Sequence, residues 1–135
     1  MYLEPSEMQS KLYDYQLEQI TGGNEALVTV AIEAAIEEAS SYLSLRYDVE
    51  KVFSAKGTDR NAHLLSVVKT LALWQIIQLA NVDMLYDKVA NEYKMATDWL
   101  NRVSRGRVNP NLPTVKPELV SGFDIISDKK NNNDY

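Results

Sequence analysis

With 135 residues, 45% of them hydrophobic and 24% charged, the chain is long enough for one self-sufficient core, which removes roughly two-thirds of the unfolded surface from water. It has no cysteine, which excludes disulfides, thiolate metal sites and cysteine nucleophiles. Its net charge of −5 repels nucleic-acid phosphates, so DNA or RNA binding would need a strong local basic patch.

The opening Met1-Tyr2-Leu3-Glu4-Pro5 has neither a positive n-region nor an apolar h-region, so no cleavable leader is expected there. The most apolar stretch runs from Leu64 to Ala80 and is interrupted by Lys69, Gln75 and Gln78. It falls short of the roughly twenty largely apolar residues that a membrane span requires. A buried core helix is expected instead.

In chain order, Pro5-Ser6-Glu7-Met8-Gln9 reads as a helix start, with Ser6 and Gln9 at capping-box spacing. Met8, Leu12 and Tyr15 then share one helical face, and Leu17 and Ile20 precede a break at Thr21-Gly22-Gly23. Two brief helices, or one that kinks, are expected.

Asn24 is an N-cap for a second helix over 26–46, with Glu25 in its first turn. Its apolar stripe is Val28, Ile32, Ala35, Ala39, Tyr42 and Leu43, and the small alanines permit close approach of a neighbour. Residues 47–61 carry no helical stripe. Asp48 to Phe53 is expected as a loop or short strand, Lys56-Gly57-Thr58-Asp59 as a turn, and Asp59 as the cap of the next helix.

That next helix is apolar nearly all round, from Leu64 to Leu79, and so must be surrounded. Asn81-Val82-Asp83 ends it and caps a last helix over 84–105. There Leu85, Val89, Tyr93, Ala96, Leu100 and Val103 form one side, and Gly106 is the C′ residue. Pro110, Pro113 and Pro117 then enforce extended backbone. The fold class is therefore all-α, a small four-to-five-helix bundle (1–106) with an extended C-terminal arm (107–135).

Catalytic and metal-binding constellations are weak. His63 is the only histidine, and only Asp59 lies at a useful spacing. Glu33, Glu37 and Glu38 lack the Glu-x-x-His partner of a helical di-metal site, so a solvated face is the better reading. Ala55-Lys56-Gly57-Thr58 lacks the upstream glycine of a phosphate loop, and Ser40, Ser41 and Ser54 have no nearby histidine base. No enzyme, cofactor or metal is expected.

Partner-binding candidates are Arg102, Arg105, Arg107 and Lys116, together with the apolar Val120, Phe123, Ile125 and Ile126 of the arm. The arginines suit the negative end of the last helix, which is favoured over a DNA contact given the acidic whole, and a third possibility is docking against carboxylates of another chain. An arm with exposed apolar groups costs entropy to order. It could fold back as an edge strand or add a strand to a neighbouring chain, and the second is favoured because the helices already supply a core.

Four passages resemble the small structural proteins of tailed bacteriophages and prophages, namely the Mu-like family encoded among head and tail proteins and, more distantly, the head–tail connector (head-completion) adaptors. They are Tyr2-Leu3-Glu4-Pro5-Ser6-Glu7-Met8; Leu17-Glu18-Gln19-Ile20-Thr21; the alanine-rich run from Ala31 to Tyr47 that ends in Tyr42-Leu43-Ser44-Leu45-Arg46-Tyr47; and Tyr93-Lys94-Met95-Ala96-Thr97-Asp98-Trp99-Leu100 followed by Val103-Ser104-Arg105-Gly106. Their order and spacing over residues 2–117 carry the likeness. The chain departs from that family in its longer tail after Glu118, and in lacking prolines between Ser54 and Asp59.

The resemblance implies a helical adaptor of the virion neck, made in the host cytoplasm. It would assemble as a ring, a dodecamer, between the portal and a tail or stopper protein. DNA would pass through that ring without specific binding, and no membrane is involved. The alternative from the residues alone is a small regulatory or DNA-binding helical module.

Overall fold

The computed structural model describes residues 1–15, 17, 24–80 and 86–115. Among them are five α-helices and two single 3-10 turns, with one isolated antiparallel bridge and no strand. The expected all-α bundle is what the chain forms.

A 3-10 turn, Pro5–Met8, runs straight into α1, Gln9–Asp14. Its cap is Glu4 rather than Ser6: the Glu7 carboxylate accepts the Glu4 amide at 3.0 Å, and Pro5 occupies the first position, where its missing N–H costs nothing. Met8 and Leu12 point inward as their spacing predicts, and Leu17 is buried beyond them. Ile20 and the Thr21-Gly22-Gly23 break lie outside the described residues.

Helix α2, Glu25–Leu43, starts where expected, with the Asn24 side chain accepting from the Leu27 amide at 3.1 Å. Ala31, Ala35 and Ala39 are fully buried on its inner face. Within 47–61 the turn at Lys56 to Asp59 forms as expected, but Asp48 to Phe53 is neither loop nor strand. Asp48 accepts from the Lys51 amide and caps a one-turn helix α3, Val49–Val52, and Gly57–Asp59 forms a second 3-10 turn. A cap and two inward residues, Tyr47 and Val52, suffice to set this turn once tertiary packing is present.

Helix α4, Ala62–Leu79, is capped by Asn61, which accepts from the Leu64 amide at 3.0 Å, and not by Asp59. By length and composition alone this helix could cross a membrane. Here it is the centre of the bundle, with Leu64, Val68, Leu71, Ala72, Leu73 and Ile76 fully enclosed. Helix α5 is described from Tyr86 to Ser104 and buries Val89, Ala96, Leu100 and Val103. The proposed caps at Asn81 to Asp83, and Met84 and Leu85, lie outside the described residues.

Helix α2 packs most extensively on α4, and α5 lies against both. His63 at the start of α4 meets Trp99 near the end of α5, with ring centroids 4.5 Å apart. The Arg46 guanidinium, beyond the end of α2, lies over Gly106 beyond the end of α5. Helix α4 is thus antiparallel to the other two. Two tyrosine–carboxylate bonds tie the layers: Tyr15 to Glu92 at 2.5 Å and Tyr93 to Glu38 at 2.5 Å.

The first part of the arm, 107–115, folds back on its own subunit. The Asp48 amide donates to the Pro113 carbonyl at 2.9 Å and the Val115 amide to the Arg46 carbonyl at 3.3 Å, with a bridge between Tyr47 and Thr114. Val108 and Leu112 rest against the core. The arm residues expected to pair as a strand with a neighbouring chain, Val120, Phe123, Ile125 and Ile126, come after this stretch. Residues 116–135 lie outside the described residues.

Candidate partner-binding surface

The pole of the bundle where α2 and α5 end carries the three candidate residues that are described, Arg102, Arg105 and Arg107. Helix α2 stops at Leu43, so Leu45 and Arg46 project beyond it, and Leu45 is 81% exposed. Helix α5 stops at Ser104, and Gly106 takes φ +76°, the left-handed C′ conformation that glycine adopts without a Cβ penalty. The missing side chain also lets Arg46 settle there, since a Cβ on Gly106 would come within 3.0 Å of its guanidinium.

Arg102, Arg105 and Arg107 are exposed at this pole, as predicted, and they share it with Arg46. The ion pairs among the described residues are the terminal amine with Glu4, Arg60 with Glu7, and Lys94 with Asp98. None involves these four arginines. An open cleft of ≈ 380 Å³ lined by Arg46, Tyr47, Asn109, Pro110 and Thr114 borders the patch. Lys116, Val120, Phe123, Ile125 and Ile126 lie outside the described residues.

Arg46 and Leu45 were missed by sequence reasoning, which continued the second helix to Arg46. The available signal was the serine at position 44, just beyond Leu43, in a phrase whose apolar stripe ends at Leu43.

The remaining candidates are occupied structurally. His63 packs on Trp99, and its carboxylate neighbour Asp59 sits in a 3-10 turn. Glu38 accepts from Tyr93, whose phenol is pushed upward by burial and by that bond. Glu33 and Glu37 stay exposed on α2. Ser41 and Ser54 donate to backbone carbonyls three residues earlier, Glu38 and Lys51. Lys56 donates to the Met1 carbonyl at 3.0 Å, so its amine is engaged with the N-terminus. No group of three or more histidine and carboxylate side chains converges among the described residues.

This surface is suited to recognition of carboxylates or phosphates. Arginine offers planar, doubly donating groups, and four of them in no ion pair among the described residues are available to a partner.

No curated protein and no solved structure matches the chain. Residues 2–122, nearly the whole chain, match the family model described as bacteriophage Mu, Gp36. The chain belongs to the bacteriophage Mu Gp36 family and is a virion-associated phage structural or assembly protein.

Proposed function

We propose that this chain is a head–tail connector (head-completion) adaptor of the phage neck. It assembles as a ring oligomer between the portal and a tail or stopper protein and continues the DNA channel. The observation that carries this reading is the arginine pole around Gly106, held at one end of the three-helix frame and in no ion pair among the described residues. A rigid subunit whose charges are satisfied only by another chain is built for assembly. The chain acts without a catalytic step, cofactor or metal. The net charge of −5 lets DNA slide through without being held. Synthesis is in the bacterial cytoplasm, and no membrane is used.

The test is native mass measurement of the full chain mixed with the portal protein of the same phage. Several copies of the chain per portal ring are expected. No complex at any salt concentration would overturn the reading.

The same arginines favour a second reading, a small DNA-binding or regulatory module. It requires affinity for DNA that falls steeply with salt. Absence of binding at low salt removes it.

A further inference from the structure

Two patches of opposite charge lie on the side and at the end of one subunit, and neither enters an ion pair among the described residues. The first is the outward face of α2. Residues 26, 30, 33, 37 and 41 recur at three- and four-residue spacing and are all exposed. This face holds Val30, 52% exposed, with Glu33 and Glu37 one turn apart and in no ion pair among the described residues. It is flanked by the small Ala26 and Ser41, which leave room for close approach. The second patch is the arginine pole, where the exposed Leu45 stands beside Arg46, and Arg105 adjoins Gly106.

The two do not pair with each other within the described chain. At 1.5 Å per residue, Glu37 and Glu33 lie roughly 9 and 15 Å from the end of α2 at Leu43, and the arginines sit beyond that end. We propose that Leu45, Arg46 and Arg105 of one copy dock on Val30, Glu33 and Glu37 of a second copy. This rests on the connector reading and deepens it, by naming the contact between neighbouring subunits.

Charge selects the occupant. A two-fold pairing of either patch with itself would set arginine against arginine or glutamate against glutamate. Pairing unlike patches satisfies both, and each patch also brings one exposed apolar side chain that can leave water on contact. A contact between two different patches runs head to tail, the geometry that closes into a ring when the rotation permits.

The experiment uses the full chain at low salt and up to millimolar concentration, with mass followed by sedimentation equilibrium and amide shifts by NMR dilution. Wild type is expected to associate with concentration and dissociate with added salt, with shifts confined to residues 30–37 and 45–46 and the arginine pole. Glu33→Lys with Glu37→Lys, and separately Arg46→Glu with Arg105→Glu, should each weaken self-association at least about tenfold. Mixing the two variants, or placing all four substitutions in one chain, should restore it. All four sites are exposed, so helical circular dichroism should be unchanged, and the wild-type dilution shifts test the contact without any variant.

A strictly monomeric chain at millimolar concentration, association untouched by either pair, or failure of the four-substitution chain to recover would overturn the proposal. Loss of DNA binding in the arginine variant, with self-association intact, would assign the patch to nucleic acid instead. Portal binding by a chain that never self-associates would leave the connector reading standing and remove only this contact. Self-association without portal binding would do the reverse.

Discussion

The Arg60 guanidinium grips the Glu7 carboxylate at both ends, Nη1 to Oε1 at 3.0 Å and Nη2 to Oε2 at 2.7 Å. The same guanidinium donates to the carbonyls of Tyr2 and Gly57, each at 2.9 Å. One side chain therefore fastens the N-terminal segment to the loop that precedes α4.

That grip makes acid stability specific to one residue. The Arg60 hydrogen bonds, helped by the Glu4 amide, hold the Glu7 carboxyl down from 4.5 to about 2. A depressed carboxyl contributes stability that is complete above 4.5 and lost as pH falls toward 2. Glu7 is one-third exposed, so solvent screening keeps the contribution modest, about 1–2 kcal/mol at neutral pH. Glu7→Gln should lose that amount and show a flatter stability profile across this window, read by urea unfolding at a series of pH values. An unchanged acid limb would show that the pair adds nothing.

Tyr2 and Tyr15 should respond oppositely to loss of the hydroxyl. The Tyr2 hydroxyl is buried with no hydrogen-bond partner among the described residues, while its ring packs edge-on to Phe53 at 4.9 Å. Tyr2→Phe keeps the ring and removes an unsatisfied polar atom, so it should be neutral or stabilising. Tyr15→Phe loses the bond to Glu92 and should cost about 1 kcal/mol. Burial first, then Glu92, raises the Tyr15 phenol from 10.0 to about 12. Its contribution is present below 10 and lost as pH rises through about 12, so the variant's alkaline limb should flatten there. Thermal melts of the two variants decide the matter.

Gly106 and Gly57 separate backbone strain from crowding. Both have positive φ, +76° and +53°, but a Cβ meets open space at Gly57 and the Arg46 guanidinium at 3.0 Å at Gly106. Gly57→Ala should cost about 1 kcal/mol from conformation alone. Gly106→Ala should cost more, and adding Arg46→Ala should remove only the excess. Additive costs in the double variant would mean that Arg46 does not rest on the glycine.

Truncation tests where the folded unit ends. Stopping the chain after Val115 should leave the melting temperature near that of the full chain, because the hydrogen bonds to Asp48 and Arg46 remain. Stopping after Gly106 exposes the places of Val108 and Leu112 and should lower it by several degrees. Unfolding by the shorter deletion would show that residues 116–135 are part of the core.

Elements with a long stripe and a side-chain cap were legible in the sequence. Asn24 and the alanine face set α2, and the all-round apolar pattern of α4 announced its burial. The short elements were not, because three or four residues carry too little periodicity. Asp48 caps a turn that only packing selects, Asn61 rather than Asp59 caps α4, and Glu4 displaced Ser6 because Pro5 fits the first helical position. Half of the candidate surface was visible in Arg102, Arg105 and Arg107. Arg46 joins them only through a glycine sixty positions later, a proximity with no local trace.

The proposed function requires the chain to sit at the junction of head and tail. Gold-labelled antibody against this chain, applied to intact virions and viewed by electron microscopy, tests it directly. Label is expected at the neck between capsid vertex and tail. Particles labelled only elsewhere, or assembled virions that lack the chain altogether, would contradict it.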